Sequence, residues 1–254
     1  MNNSIVSFWS KKSLYGLSLF LVLQACSNDN EIEEKPYSEE PLLHYNFNGN
    51  FINIAGTGNN GIQSGGVVFA EDRQGNPESA AYFDGIDDRL KFENPLRESG
   101  RAYSISGWFK PEEPFNGNLV VVMRQGTVCN IRITKLDNSN SAVCFDNYID
   151  SGWKNNCHDF DDDEWFHVVG VYQKDNHSKI YINGTLVAQQ ANANGSTDVS
   201  PDFTLDSYLG AIIREDTTND PDTFWKGAID DFIIYEKALN PTEVLDLYQG
   251  NGLE

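Results

Sequence analysis

The chain has 254 residues, with 38 acidic side chains against 18 basic ones, a formal net charge of -20 and a pI near 4.4. A surface this acidic repels phosphate backbones, which excludes nucleic acid as a partner and favours solubility and cation binding. The length allows one sizeable domain with a full core.

The first stretch reads as an address. Lys11 and Lys12 precede an apolar run from Leu14 to Leu23, and LQAC closes it at Cys26. The run is shorter than the roughly 20 apolar residues of a membrane-spanning helix. LQAC resembles a bacterial lipobox, which implies a signal peptide over residues 1–25, cleavage before Cys26 and a lipid on its sulfur. Attachment to a membrane is then through the lipid anchor alone. Residues 26–41, containing SNDNEIEEKPYSEEP, are acidic and hold almost no large apolar side chain. Such a stretch cannot bury enough surface to fold and is expected to be a solvated tether. An acidic segment directly after the cysteine resembles the surface-export signal of Bacteroidetes lipoproteins, which implies a surface-exposed place on the outer membrane.

Residues 42–254 read as a single all-β domain. Short apolar runs are separated by Gly, Asn and Asp, the pattern of a sandwich or barrel. LLHYNF opens it, and a loop rich in Asn and Gly follows; GVVFA, AAYFDG and DRLKFE come next. YSISGWFKP alternates, NLVVVMR is a continuous apolar run, and VCNIRIT and SAVCF flank the polar LDNSNS. EWFHVVGVYQ is the longest strand expected. KIYINGTLVA is a hairpin, with Asn183 and Gly184 as its type I′ turn. SYLGAII follows, and then FWKGAIDDFIIYEKAL, which is apolar on both faces and so reads as the closing central strand. Gly227 marks a bend or a close backbone approach there, and Asp230 is expected to aim at a metal. One helix ends the domain: Asn240 caps, Pro241 takes the first position, Glu243 completes a capping box and Gly250 stops it.

The ordered series YNFNGN, GTGNNG, AAYFDGIDDRLKF, YSISGWFKP, EWFHVVGVY, KIYINGTLV, YLGAI and FWKGAIDDFIIYEKALNPTEVLDLY resembles a laminin G-like domain of the concanavalin A-like lectin/glucanase superfamily. The resemblance implies a jelly-roll sandwich of two antiparallel sheets, with the first and last segments side by side. It also implies one structural calcium between the first loop and the last strand, with Asp230, Asn48, Asn53 and the Gly61 region as ligands. Asn53 stands where the family carries aspartate, which removes one charge from the site.

Three further residue groups bear on chemistry. Export permits a disulfide, and Cys129, Cys144 and Cys157 leave one thiol over. Cys129 with Cys144, or Cys144 with Cys157, face across hairpins, and the sequence does not choose. NNCHDFDDDEW carries several carboxylates and reads as a solvated turn, because it lacks the glycine and distal glutamate of a calcium loop and any second pair of zinc ligands. His167 lies inside a strand pattern and reads as a satisfied sandwich histidine.

Glucanase relatives carry an ExDxxE-like run on one strand face, and no strand expected here contains it. No catalytic residues are therefore assigned. Binding remains, and exposed aromatic faces are its usual instrument. Trp153 and Tyr148, in what reads as a turn, and Trp225, at the edge of the last strand, are the ligand-binding candidates. The sequence points to a non-catalytic, carbohydrate-binding surface lipoprotein. A protein-binding adhesion or spacer module is the alternative, with a divergent glycosidase or polysaccharide lyase behind it.

Overall fold

The computed structural model describes residues 40–250, apart from 57–59, 94, 97–101, 113–119, 125–126, 136–140, 150–151, 161–162, 175, 192–206 and 213–222. The signal peptide, Cys26 and the tether lie outside the described residues. The elements run β1 (Leu43–Tyr45), β2 (Ile62–Ser64), β3 (Val68–Ala70), β4 (Ala80–Asp84), β5 (Arg89–Phe92), β6 (Ala102–Pro111), β7 (Val120–Arg124), β8 (Thr127–Lys135) and β9 (Ser141–Ile149). They continue with β10 (Gly152–Asp159), β11 (Phe166–Gln173), β12 (His177–Ile182), β13 (Thr185–Ala191), β14 (Ser207–Leu209), β15 (Ala211–Ile212), β16 (Thr223–Phe224), β17 (Lys226–Tyr235) and α1 (Pro241–Gln249).

Two antiparallel sheets face each other. The eight-stranded sheet has the order β13-β12-β11-β6-β17-β4-β3, with β1 also on β17. The seven-stranded sheet has the order β10-β9-β8-β7-β14-β5-β2. Side chains from the two inner faces form one core, including Tyr45, Phe83, Phe109 and Ile229 from the first sheet and Phe92, Ile131 and Phe145 from the second. The packing is tight enough that a methyl group on Gly170 of β11 would enter the Phe145 ring of the opposite sheet.

The closing strand β17 lies at the centre, as its two apolar faces require. Its first half pairs with β4, its second half with β1, and both halves with β6 on the other side. Between the halves, at Asp230 and Asp231, the register shifts, and Asp231 adopts a φ of 44°. This bulge turns two consecutive carboxylates away from the core. At Gly227, with φ 138°, a Cβ would press into the Lys110 carbonyl oxygen and lie 3.0 Å from Pro111 Cα.

A second, smaller core covers the outward face of the eight-stranded sheet. There Val169, Val171, Tyr181, Ile233 and Tyr235 pack against Leu239 and Val244. Helix α1 is held by the capping box of Asn240 and Glu243 and ends at Gly250 in the left-handed conformation. Ser104 Oγ fixes the approach to it, donating to the Lys237 carbonyl at 2.8 Å and accepting from the Leu239 amide at 3.0 Å. The β12–β13 turn has Asn183 and Gly184 at φ 49° and 76°, as a type I′ turn needs.

Residues 152–159 differ from the expected turn. They form β10, paired residue for residue with β9. As an edge strand it holds neither face over a full apolar layer, so GWKNNCHD lacks the alternating pattern that marks half-buried strands.

Candidate functional site

Helix α1 packs on part of the outward face of one sheet, and the other sheet's outward face is the second place for a ligand. Strand alternation settles which residues stand on it. On β8 and β9, Cys129, Ile131, Ile133, Val143 and Phe145 belong to the core, so Asn130, Arg132, Cys144 and Asp146 point the other way. Register then gives a row of Asn155, Asp146 and Asn130, taken up again beyond β7 by Tyr208, Lys91 and Ile62. At about 4.8 Å per strand the row is roughly 29 Å long. Trp153 stands on the same face of β10, two residues from Asn155, and is 46% exposed.

The centre of this row is polar and buried. Asp146 is 4% exposed and Asn130 8%. Arg132 Nε donates to Asp146 Oδ2 at 2.9 Å, while among the described residues Oδ1 of Asp146 and Oδ1 of Asn130 accept no hydrogen bond. Burial raises the Asp146 carboxyl above its ordinary range, against the pull of Arg132. Cys144 and Cys157, opposite one another on β9 and β10, form a disulfide on this face, and Cys129 is a free, buried thiol.

A second charged cluster lies on the other sheet. The β3–β4 loop is folded around Asp72, whose carboxylate accepts from the Gln74 and Asn76 amides at 2.8 and 2.9 Å. This presents Arg73, whose guanidinium lies 4.6 Å from the Trp108 ring centroid. Its two terminal nitrogens fork across the bulge, one to Asp230 and the other to Asp231 at 2.8 Å. His44 Nε2 is 3.2 Å from the other oxygen of Asp231. Burial, with the Asp231 charge beside it, pushes Asp230 up to about 7 in spite of Arg73. Burial works against the Asp231 charge too, but the His44 hydrogen bond and Arg73 outweigh it and hold that carboxyl below its usual range. Nearby, His167 is buried with Nε2 2.8 Å from Ser106 Oγ, and burial drives its pKa down to about 3.

The residues expected to hold calcium are engaged with other groups of the protein. The cation at Asp230 is Arg73, and the remaining oxygen of Asp230 accepts the Asp231 amide at 2.7 Å. Asn53 Oδ1 accepts from the His44 and Ala55 amides at 2.9 and 3.1 Å, the Asn48 carbonyl takes the Asn50 side chain, and the Gly61 amide binds the Phe51 carbonyl. These residues brace the first loop, and a calcium ion does not fit beside a guanidinium already matched to both carboxylates. Asp84, Asp87 and Asp88 bring carboxylate oxygens within 4.8 Å of one another, but Asp84 and Asp88 accept the amides of Ile86 and Asp84 and so cap the β4–β5 turn.

The aromatic candidates separate. Trp225 is fully buried in the main core and stacks no ligand, because the residue before β17 turns inward. Trp153 is exposed, and Tyr148 is its register partner on β9, with a side chain outside the described residues. Arg73, Arg132, Asn130 and Asp146 escaped the sequence reading. For Asp146 a signal existed, as the one charged residue in the strand SAVCFDNYI.

Residues 84–245 match the family model described as the concanavalin A-like lectin/glucanases superfamily. The chain belongs to this superfamily. Its jelly roll is most usefully compared with domain 4 of an extracellular arabinanase from Geobacillus stearothermophilus, solved with arabinotriose. That structure has a TM-score of 0.63 at 22% identity and covers 83% of this chain and 98% of its own. The binding domain of botulinum neurotoxin serotype D/C has a TM-score of 0.56 at 15% identity, over 83% of this chain and 52% of its own. Both likenesses establish the fold. A curated relative, the human adhesion G-protein coupled receptor D1, is 32% identical over 80 residues, which span 32% of this chain and 8% of the receptor.

Proposed function

We propose that this concanavalin A-like domain is a non-catalytic carbohydrate-binding module on a lipid-anchored, surface-exposed outer-membrane protein. The observation that carries the reading is Trp153: a large aromatic side chain left 46% exposed on the sheet face away from α1, beside the polar row. Aromatic faces of this kind stack on sugar rings, and flanking polar groups take the hydroxyls. The complex of the arabinanase domain with arabinotriose supports the same use of the fold. The anchor rests on LQAC at Cys26.

The test uses the full-length chain in mild detergent, run through gels containing arabinan, xylan, mannan or mixed-linkage β-glucan. At least one polymer is expected to retard it, with Trp153→Ala weakening that retardation at least tenfold. Free migration through every gel overturns the proposal. For the anchor, Cys26→Ala is expected to move the protein from the membrane to the soluble fraction, and an unchanged membrane fraction counts against lipidation.

A further inference from the structure

We infer that the outward face of the eight-stranded sheet, beyond the end of α1, is a second oligosaccharide platform built on Tyr82 and Trp165. One domain then holds two glycan chains, one on each side of the sandwich; the inference rests on the carbohydrate reading of the fold. Alternation against the core residues Phe83, Ile229 and Phe109 turns Tyr82, Ala228 and Lys110 outward. Register sets them in one row, with Val68 of β3 opposite Tyr82 of β4, Tyr82 opposite Ala228 of β17, and Ala228 opposite Lys110 of β6. Phe166 opens β11 opposite Phe109, so Trp165 lies one residue earlier, next to Lys110. Three strand spacings of about 4.8 Å put the two aromatic residues roughly 14 Å apart.

This row is open to solvent as it stands. Val68 is 55% exposed, and Tyr82 and Trp165 are half-buried. Helix α1 ends over the next row, where Tyr248 stacks on Trp108 with ring centroids 5.6 Å apart. The Tyr82 hydroxyl sets its ring for stacking. It donates to Glu112 Oε2 at 2.8 Å, and Glu112 follows β6 on the far side of β17. The ring therefore lies along the sheet across β17, where Ala228 leaves room for it. Lys226 Nζ holds the other oxygen of Glu112 at 2.8 Å, and beside Trp165 Lys110 Nζ is 3.4 Å from Glu164. Each lysine of the strip thus has its carboxylate beside it, which leaves little to draw a charged protein surface. The side chains of Lys110, Glu112 and Glu164 are 43, 51 and 75% exposed, so their remaining donors and acceptors are within reach. Aromatic rings with exposed polar groups between them are the set that takes sugar rings and their hydroxyls.

Calorimetric titration of the full-length chain in mild detergent with hexasaccharides of arabinan, xylan, mannan and mixed-linkage β-glucan counts the sites. At least one hexasaccharide is expected to bind at two per chain, at one per chain in Trp153→Ala and in Tyr82→Ala, and not at all when both are replaced. Trp165→Ala is expected to weaken the second site at least tenfold, and it decides the matter should Tyr82→Ala fail to fold by near-ultraviolet circular dichroism. One sugar per chain, lost in Trp153→Ala alone, overturns this inference and leaves the carbohydrate reading intact. Two sugars per chain in folded Tyr82→Ala and Trp165→Ala do the same, and leave the strip to a protein surface. No binding of any hexasaccharide overturns both.

Discussion

Gly227→Ala is expected to destabilise the domain by roughly 3–5 kcal/mol, from backbone strain and overpacking together. The residue sits at φ 138°, a region open in practice to glycine alone, and an added methyl would meet the Lys110 carbonyl and Pro111 Cα of β6. Neither obstacle is a flexible side chain that can swing aside. Relief requires β17 to separate from β6, and that is the central pairing of the eight-stranded sheet. For a domain of this size each kcal/mol lowers the unfolding midpoint by about 2–4 °C, so a thermal scan should show a fall of roughly 6–20 °C. A fall under 2 °C would mean that the strand shifts at no cost and that the close approach is incidental.

That glycine was legible because its sequence context carries its own reason. A glycine opening an apolar run marks a bend or a close approach, and the same local logic located the helix through Asn240, Glu243 and Gly250 and the hairpin through Asn183 and Gly184. What local logic misses is the far partner. Asp230 and Asp231 announce a need for positive charge, but Arg73 answers it from 157 residues away, out of a loop whose sequence, EDRQGN, reads as any polar turn. Asn53 reads in the sequence as a weakened metal ligand; in the structure its amide oxygen bridges the backbone amides of His44 on β1 and Ala55 in the loop. Trp225 and Trp153 show the same limit in burial. Both flank polar residues in the sequence, and only the three-dimensional order of the strands sends one into the core and leaves the other on an edge.

The Arg73 cluster yields the second large effect, and it depends on pH. Arg73→Ala at pH 7.5 is expected to cost roughly 3–5 kcal/mol, because it strands a buried carboxylate beside another one. Arg73 and Asp230 side chains are only 15% and 4% exposed, so solvent screens the loss weakly. The sign of the pH dependence follows from Asp230. Its folded pKa is raised to about 7 from an ordinary 3.8, so the folded state binds the proton more tightly than the unfolded chain. Its contribution is present in full below 3.8 and is lost as pH rises through 7. Without Arg73 the carboxyl rises further, and protonation below neutrality removes the stranded charge. His167 moves the difference the same way: burial and then the Arg73 charge depress it to about 3, so the variant lets the imidazole protonate at a less acidic pH. In the parent, that imidazole draws stability down between pH 6.5 and 3, since the unfolded chain binds the proton first. Urea unfolding of both proteins from pH 5 to 8 should therefore show a gap that narrows by more than half towards pH 5. A gap constant across that range would mean that Arg73 acts through packing on Trp108 and not through the two carboxylates.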